Sequence, residues 1–167
     1  MPPFVSIIGK SNSGKTTLIE KLIRELKKRG YMVGTIKHTH HAIQIDRQGK
    51  DSARHKNAGA HTVAIHSPDS LTVIKDTKSP SLDSLALDDI AIYYEDMDIV
   101  ITEGYRQADK PKIEVFRKAA HKRPYNRSSQ DLIAFVTDSE DDLNVNVPIF
   151  GLEEIEKIVD FLEKRFL

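Results

Sequence analysis

The sequence predicts a three-layer α/β fold, with helices flanking a mostly parallel sheet, and three observations carry that prediction. Short apolar runs alternate with amphipathic stretches along most of the chain. The chain opens as strand, loop, helix, strand, and such a unit requires parallel strands joined by a right-handed crossover. No shift in composition divides the 167 residues, so 1–167 reads as a single domain, long enough to bury a sizeable core.

The elements follow in chain order. Phe4-Val5-Ser6-Ile7-Ile8 is an apolar run ending in Gly9 and predicts a buried strand. Leu18, Ile19, Leu22, Ile23 and Leu26 recur at helical spacing. Lys27, Lys28 and Arg29 suit the negative end of that helix's dipole, and Gly30 stops it. Met32 to Lys37 is the second strand. His38 to Gln48 reads as a surface loop with a short extended piece at Ala42 to Ile45, and Lys50 to Ala58 as a short polar helix closed by Gly59. Thr62 to His66 and Leu71 to Ile74 are strands about the turn Ser67-Pro68-Asp69-Ser70. A helix is expected over Leu82 to Tyr94, then a buried strand over Asp98 to Thr102 ending at Glu103-Gly104. Further strands are expected over Lys112 to Phe116, Leu132 to Thr137 and Pro148 to Phe150. Ile155, Ile158, Val159 and Leu162 define an amphipathic C-terminal helix. His121 to Gln130 is polar, basic and rich in turn formers, which makes it the candidate mobile loop.

Composition bounds the function. Lysine and arginine number 25, as do aspartate and glutamate, so the chain as a whole exerts no pull on nucleic acid or an anionic membrane. Cysteine is absent, which excludes disulfides, zinc–thiolate sites and iron–sulfur clusters. The first residues lack a signal-peptide pattern and no apolar run approaches membrane-spanning length. The expectation is a soluble, cytoplasmic protein that binds neither nucleic acid nor membrane.

Gly9-Lys10-Ser11-Asn12-Ser13-Gly14-Lys15-Thr16 matches G-x-x-x-x-G-K-[ST] in full and lies between a predicted strand and a predicted helix. That context sharpens the fold to the P-loop NTPase type and points to a nucleoside triphosphate with magnesium. An ordinary Gly/Ser turn explains the glycines but not Lys15-Thr16 at the helix start. Gly9 and Gly14 let the backbone curl its N–H groups inward, and the helix aims its positive end at the same anions. Lys15 supplies a mobile point charge for the β- and γ-phosphates, and the Thr16 hydroxyl suits magnesium. The nucleotide-contacting set is Gly9, Asn12, Ser13, Gly14, Lys15, Thr16 and Thr17. Lys10 takes the place of an extra lysine that one subclass of P-loop proteins sends across a dimer. Ser11-Asn12 replaces the glycine pair that usually follows, so a solvated lysine is the expected reading.

A P-loop site needs an acid near the magnesium, and Glu103 stands at the C-terminal end of a buried strand, where α/β sheets bind ligands. Asp46, in the loop after the second strand, is the second candidate. Thr16, Asp46 and Glu103 are thus the expected metal set, with Asp46 and Glu103 as candidates for orienting the attacking water. Asp98 begins its strand at the opposite edge and receives no catalytic role. His38, His40 and His41 form a cluster open to two readings, a transition-metal site or polar groups beside the nucleotide; His66 is expected to be structural. Lys50, Arg54, His55 and Lys56 make a basic helical face, and Lys112, Lys122, Arg123 and Arg127 add cations near strand ends. These read as a solvated charged surface or as a second anion site for a pterin phosphate or a partner protein.

Several segments together resemble one family, the bacterial molybdopterin-guanine dinucleotide biosynthesis protein B, MobB. They are GKSNSGKTT from Gly9 to Thr17, Gly34 to His41 with its I-K-H-x-H-H core, and Asp46 to His55 with G-K-D-S-x-R-H. Ala58-Gly59-Ala60, Ile101-Thr102-Glu103-Gly104-Tyr105 and Pro111-Lys112-Ile113-Glu114-Val115 extend the resemblance almost from end to end. It implies a dimeric P-loop GTPase that binds GTP, hydrolyses it slowly, and acts as an adapter in molybdenum cofactor assembly. The implied partners are a molybdopterin guanylyltransferase and molybdopterin itself. The N-K-x-D segment by which GTPases read guanine is not present. Phe135-Val136-Thr137-Asp138 is the nearest equivalent, and Asp138 is the candidate acceptor for the guanine N1 and N2 hydrogens. Two other classes stay open on the residues: a P-loop small-molecule kinase, and a nickel-delivering metallochaperone GTPase using the histidine cluster.

Overall fold

The computed structural model describes residues 1–39, 49–76, 87–125, 130–139, 143 and 145–167. In chain order the elements are β1 (Phe4–Ile8), α1 (Lys15–Lys28), β2 (Val33–Lys37), α2 (Asp51–Asn57), β3 (Thr62–Ser67), β4 (Ser70–Lys75) and α3 (Leu87–Ala91). After a 3-10 turn at Ile92–Tyr94 come β5 (Ile99–Glu103), β6 (Lys112–Phe116), β7 (Leu132–Thr137), β8 (Ile149–Gly151) and α4 (Ile155–Phe166). They fall into two compact units, Met1–His38 with Ala86–Leu167, and Thr39–Leu85.

The larger unit is a six-stranded sheet in the order β2-β5-β1-β6-β7-β8, with every adjacent pair parallel. Its central strands read as continuous apolar runs because both faces are covered: all of β1, β6 and β7 is buried. On one face Val5, Ile7, Ile101, Ile113 and Val115 pack against Leu18, Leu22 and Leu26 of α1 and Ile158 and Leu162 of α4. These are the apolar stripes that the helical spacing predicts. The other face carries two separate clusters, Phe4 and Val100 with Leu87 and Ala91, and Phe116 with Leu132 and Phe135. A Cβ on Gly34 would lie 2.4 Å from the Tyr94 ring, so glycine in β2 is what lets that ring close down, where its hydroxyl donates to the Thr35 carbonyl at 2.8 Å.

Helix ends follow simple chemistry. Gly14 precedes α1 at φ 93°, and Gly30 follows it at φ 95°, both left-handed conformations that other residues adopt at a cost. Arg29 ties α1 to α4, donating to Glu25 at 2.9 Å and to Asp160 and Glu163 at 2.6 Å each. Asp98 takes the Met32 backbone N–H at 2.7 Å, at the end of the sheet opposite the glycine loop, as its position at the strand start predicts.

Two expectations are corrected. The helix predicted over Leu82 to Tyr94 is described only from Leu87, and after Ala91 it tightens into the 3-10 turn rather than continuing as α-helix. Lys112 is not a surface cation. It is 2 % exposed, and its ammonium donates to the carbonyls of Ala108 and Lys110 and to Asp131 at 2.6, 3.1 and 2.9 Å. A buried ammonium must have such partners, so Lys112 braces the sheet and is withdrawn from any anion site.

The smaller unit holds α2 and the antiparallel pair β3–β4, with Ser67 opposite Ser70 at the turn. The Ser67 hydroxyl donates to Asp69 at 2.6 Å, the local side-chain bond that serine and aspartate bring to turns. Val63 is buried, while Ile65, Leu71 and Val73 are exposed. His66, expected to be structural, is exposed on β3. Of the basic face on α2, Lys56 is consumed internally, pairing with Asp76 and donating to the Ala60 carbonyl. No described helix is long and apolar enough to cross a membrane.

Candidate functional site

A parallel sheet brings the C-terminal ends of its strands to one edge, and the loop from Gly9 to Thr16 leaves β1 at that edge. Gly9 sits at φ 144°, and a Cβ there would lie 2.4 Å from the Val115 carbonyl oxygen and 2.9 Å from Ser13 Oγ. Only glycine fits. Asn12 is left-handed at φ 61°, a conformation asparagine tolerates better than most residues. The Ser13 N–H donates to the Lys10 carbonyl at 3.3 Å, closing the turn. Ser13 is 1 % exposed, and its hydroxyl has no hydrogen-bond partner among the described residues. A buried orphan hydroxyl is costly unless something else satisfies it.

Lys15 opens α1, and its ammonium donates to the Lys10 carbonyl at 2.8 Å, back across its own loop. Burial pulls its pKa below the ordinary lysine value; the Glu103 carboxylate pushes the other way, and Lys37 adds a smaller repulsion. Thr16 Oγ1 donates to Glu103 Oε2 at 3.1 Å, and Lys37 Nζ stands 3.4 Å from the same oxygen. Register explains the meeting: Glu103 ends β5, level with Ile7 of β1 and Lys37 of β2. The turn after Glu103 is held closely. Gly104 donates to the Ile7 carbonyl at 3.1 Å, His38 donates its backbone N–H to the Glu103 carbonyl at 3.0 Å, and the His38 ring packs on Tyr105 at 4.8 Å.

The structure thus brings Gly9, Asn12, Ser13, Gly14, Lys15 and Thr16 into one loop with Glu103 against it. Thr17, the third residue of α1, is exposed beside them. Asp138 lies apart, just past β7, which is two strands from β1 on the side away from β5. Its carboxylate accepts the Lys118 N–H at 2.9 Å and lies 3.7 Å from Arg117 Nε. Asp46, His40, His41 and Arg127 lie outside the described residues. Among the described residues, no three histidine, aspartate or glutamate side chains are placed to hold a metal ion. Thr16 and Glu103 nevertheless form a pair of hard oxygen donors of the kind magnesium takes when phosphates supply the rest.

Four neighbours of this site make contacts that sequence reasoning did not anticipate. Lys37 pairs with Glu103. Lys10 is not a free solvated lysine, since it donates to the Arg123 carbonyl at 2.9 Å. His121 Nε2 donates to the Ser11 carbonyl at 2.7 Å, so the His121 end of the expected mobile loop is fastened to the glycine loop. Glu114, 1 % exposed in β6, accepts the Tyr125 backbone N–H. Nothing in the local sequence signals these contacts, because each joins residues distant in the chain.

Comparisons of sequence and of fold point to the same family. The profile of the family described as molybdopterin guanine dinucleotide synthesis protein B matches residues 4–138. A molybdopterin-guanine dinucleotide biosynthesis adapter protein of Haemophilus influenzae is 36% identical over 163 residues, covering 96% of this chain and 88% of that one. Its Escherichia coli counterpart is 33% identical over 165 residues, with 97% and 92% covered. A crystal structure of molybdopterin-guanine biosynthesis protein B superposes with a TM-score of 0.73 at 33% identity, covering 96% of this chain and 98% of that one. The fold also matches Bacillus subtilis MobB, with a TM-score of 0.74 at 24% identity over 99% of this chain and 98% of that one.

Proposed function

This chain belongs to the molybdopterin guanine dinucleotide synthesis protein B family, and from that premise we propose that it is a GTP-binding adapter of molybdenum cofactor biosynthesis with slow, magnesium-dependent GTP hydrolysis. The observation that carries the reading is the Thr16–Glu103 hydrogen bond at 3.1 Å beside Lys15, at the mouth of a loop that only glycine at position 9 permits. Such a loop directs backbone N–H groups at phosphate oxygens. The Ser13 hydroxyl, an orphan among the described residues, and a lysine that donates back to its own loop's carbonyl are groups a triphosphate would satisfy. The relatives, molybdopterin-guanine dinucleotide biosynthesis adapter proteins, support the pathway.

In this reading Gly9, Asn12, Ser13, Gly14 and Thr17 line the phosphates, and Lys15 turns from the Lys10 carbonyl to the β- and γ-phosphates. Thr16 and Glu103 are the residues that would hold magnesium, with Asp46 as a further candidate. When bound, magnesium supplies charge neutralisation of the phosphate oxygens. Glu103 also orients a water for attack. Turnover is slow because the Gly9–Thr16 loop contains no arginine; an arginine supplied in trans raises such hydrolysis roughly 10³- to 10⁵-fold. Asp138 accepts the guanine N1 and N2 hydrogens. The protein works in the cytoplasm as a homodimer, for which the exposed Leu71 and Val73, on one face of the β3–β4 pair, offer an apolar surface. It partners a molybdopterin guanylyltransferase, and molybdopterin is its further candidate ligand.

Equilibrium titration of GTP and ATP, with magnesium and with a chelator, tests the reading, together with the mass of the complex and analysis of the products. Magnesium-dependent preference for GTP and release of GDP with inorganic phosphate are expected. No nucleotide binding, or transfer of the phosphoryl group to a small acceptor, would overturn it.

A further inference from the structure

Arg117 follows β6, the strand between β1 and β7, so it leaves the sheet between the glycine loop and Asp138. Two contacts fix its course. Its Cδ would stand 3.7 Å from a Cβ on Gly14, so its stem passes over the start of α1. Its Nε stands 3.7 Å from Asp138 Oδ2, while the neighbouring Lys118 N–H holds Asp138 Oδ1 at 2.9 Å. The side chain is 45% exposed, and Asp138 is 30% exposed. The Arg117 carbonyl also accepts the N–H groups of Ala120 and His121 at 3.1 and 3.0 Å, which anchors its backbone in a tight turn. An arginine with a fixed root and an open guanidinium therefore spans the space between the phosphate-facing loop and the acid at the end of β7.

Resting on the nucleotide reading above, we propose that Arg117 is the cation that holds the base, its guanidinium plane lying on the purine ring while Asp138 takes the ring's edge. Asp138's own strand offers no lysine, because Phe135-Val136-Thr137 precede it. The cation arrives instead from the adjacent strand. Guanidinium suits this task because it is planar, permanently charged and weakly hydrated, so it stacks on an aromatic face while keeping edge hydrogen bonds. The ion pair with Asp138 keeps the plane beside the carboxylate in the free protein and limits the ordering needed on binding.

The experiment measures binding of GTP, GDP and inorganic tripolyphosphate, which has no base, to the wild-type protein and to Arg117→Ala and Arg117→Lys. Arg117→Ala is expected to lose roughly 10-fold in affinity for GTP and GDP, with tripolyphosphate affinity unchanged. Arg117→Lys is expected to restore only part of the loss, since it returns the charge without the plane. Thermal melts of each variant confirm folding. An equal loss for tripolyphosphate would mean that Arg117 merely braces the loop or binds phosphate, and it would overturn the proposal. So would unchanged GTP affinity in Arg117→Ala. Failure of the wild-type protein to bind any of the three probes would instead remove the nucleotide reading itself.

Discussion

The two units of this chain solve burial in opposite ways. In the larger one, β1, β6 and β7 are buried at every residue, and the helices α1 and α4 contribute a continuous stripe to the core. In the smaller one, β4 has no buried residue and β3 only Val63. A two-stranded pair is marginal by itself in water. The difference teaches where rigidity and exposure are placed. The candidate phosphate loop grows from a strand with both faces covered, so its geometry is preset, whereas the hairpin leaves apolar side chains open for a partner.

The comparison is broken or sharpened by mutation. The largest effect should come from Leu22→Ala, which removes a fully buried side chain of the larger unit. A loss of about 3 kcal/mol in unfolding free energy is expected from denaturant titration. Lys15→Ala should leave unfolding nearly unchanged while weakening GTP about 100-fold, as read by calorimetric titration, since it deletes charge-assisted contacts rather than packing. If Lys15→Ala binds GTP normally, the larger unit is rigid for some other reason than holding phosphate. Gly34→Ala should cost about 2 kcal/mol, because the added methyl meets the Tyr94 ring at 2.4 Å and one of the two must move.

Smaller still, Leu71→Ser with Val73→Ser should change unfolding free energy by less than about 0.5 kcal/mol, because both side chains are exposed. In the proposed homodimer, the same pair should shift the mass in solution from dimer toward monomer. A dimer of undiminished strength would show that the open hairpin face has another use. The smallest effect concerns acid. Arg29 first, helped by Lys28, holds the Glu25 carboxyl below its ordinary pKa. A carboxylate with a lowered folded pKa stabilises the protein above its unfolded value, about 4.3, and that contribution is lost as pH falls through the folded value. Arg29→Gln should therefore flatten the acid limb of a stability–pH profile below about pH 4.5.

Much of this was legible in the order of residues. Every described strand of the larger sheet was expected to within a residue at its ends, because apolar runs of five or six residues between glycines and polar turns leave few alternatives. The glycine loop announced itself by spacing. Lys112 was not legible: a lysine beginning a strand reads as exposed until the Ala108 and Lys110 carbonyls and Asp131 are seen around it. Arg117 was likewise silent, because its significance depends on two strands that are neighbours only in the folded sheet.

By itself, then, the sequence determined the alternation of strands and helices, the loop that suits phosphate, and the family, since these rest on local spacing and backbone freedom. Only the tertiary structure decided which side chains share the loop's edge. Thr16 met Glu103 across 87 residues, and Arg117 reached Asp138 from the next strand, because parallel pairing sets register through the whole core and no local pattern encodes it.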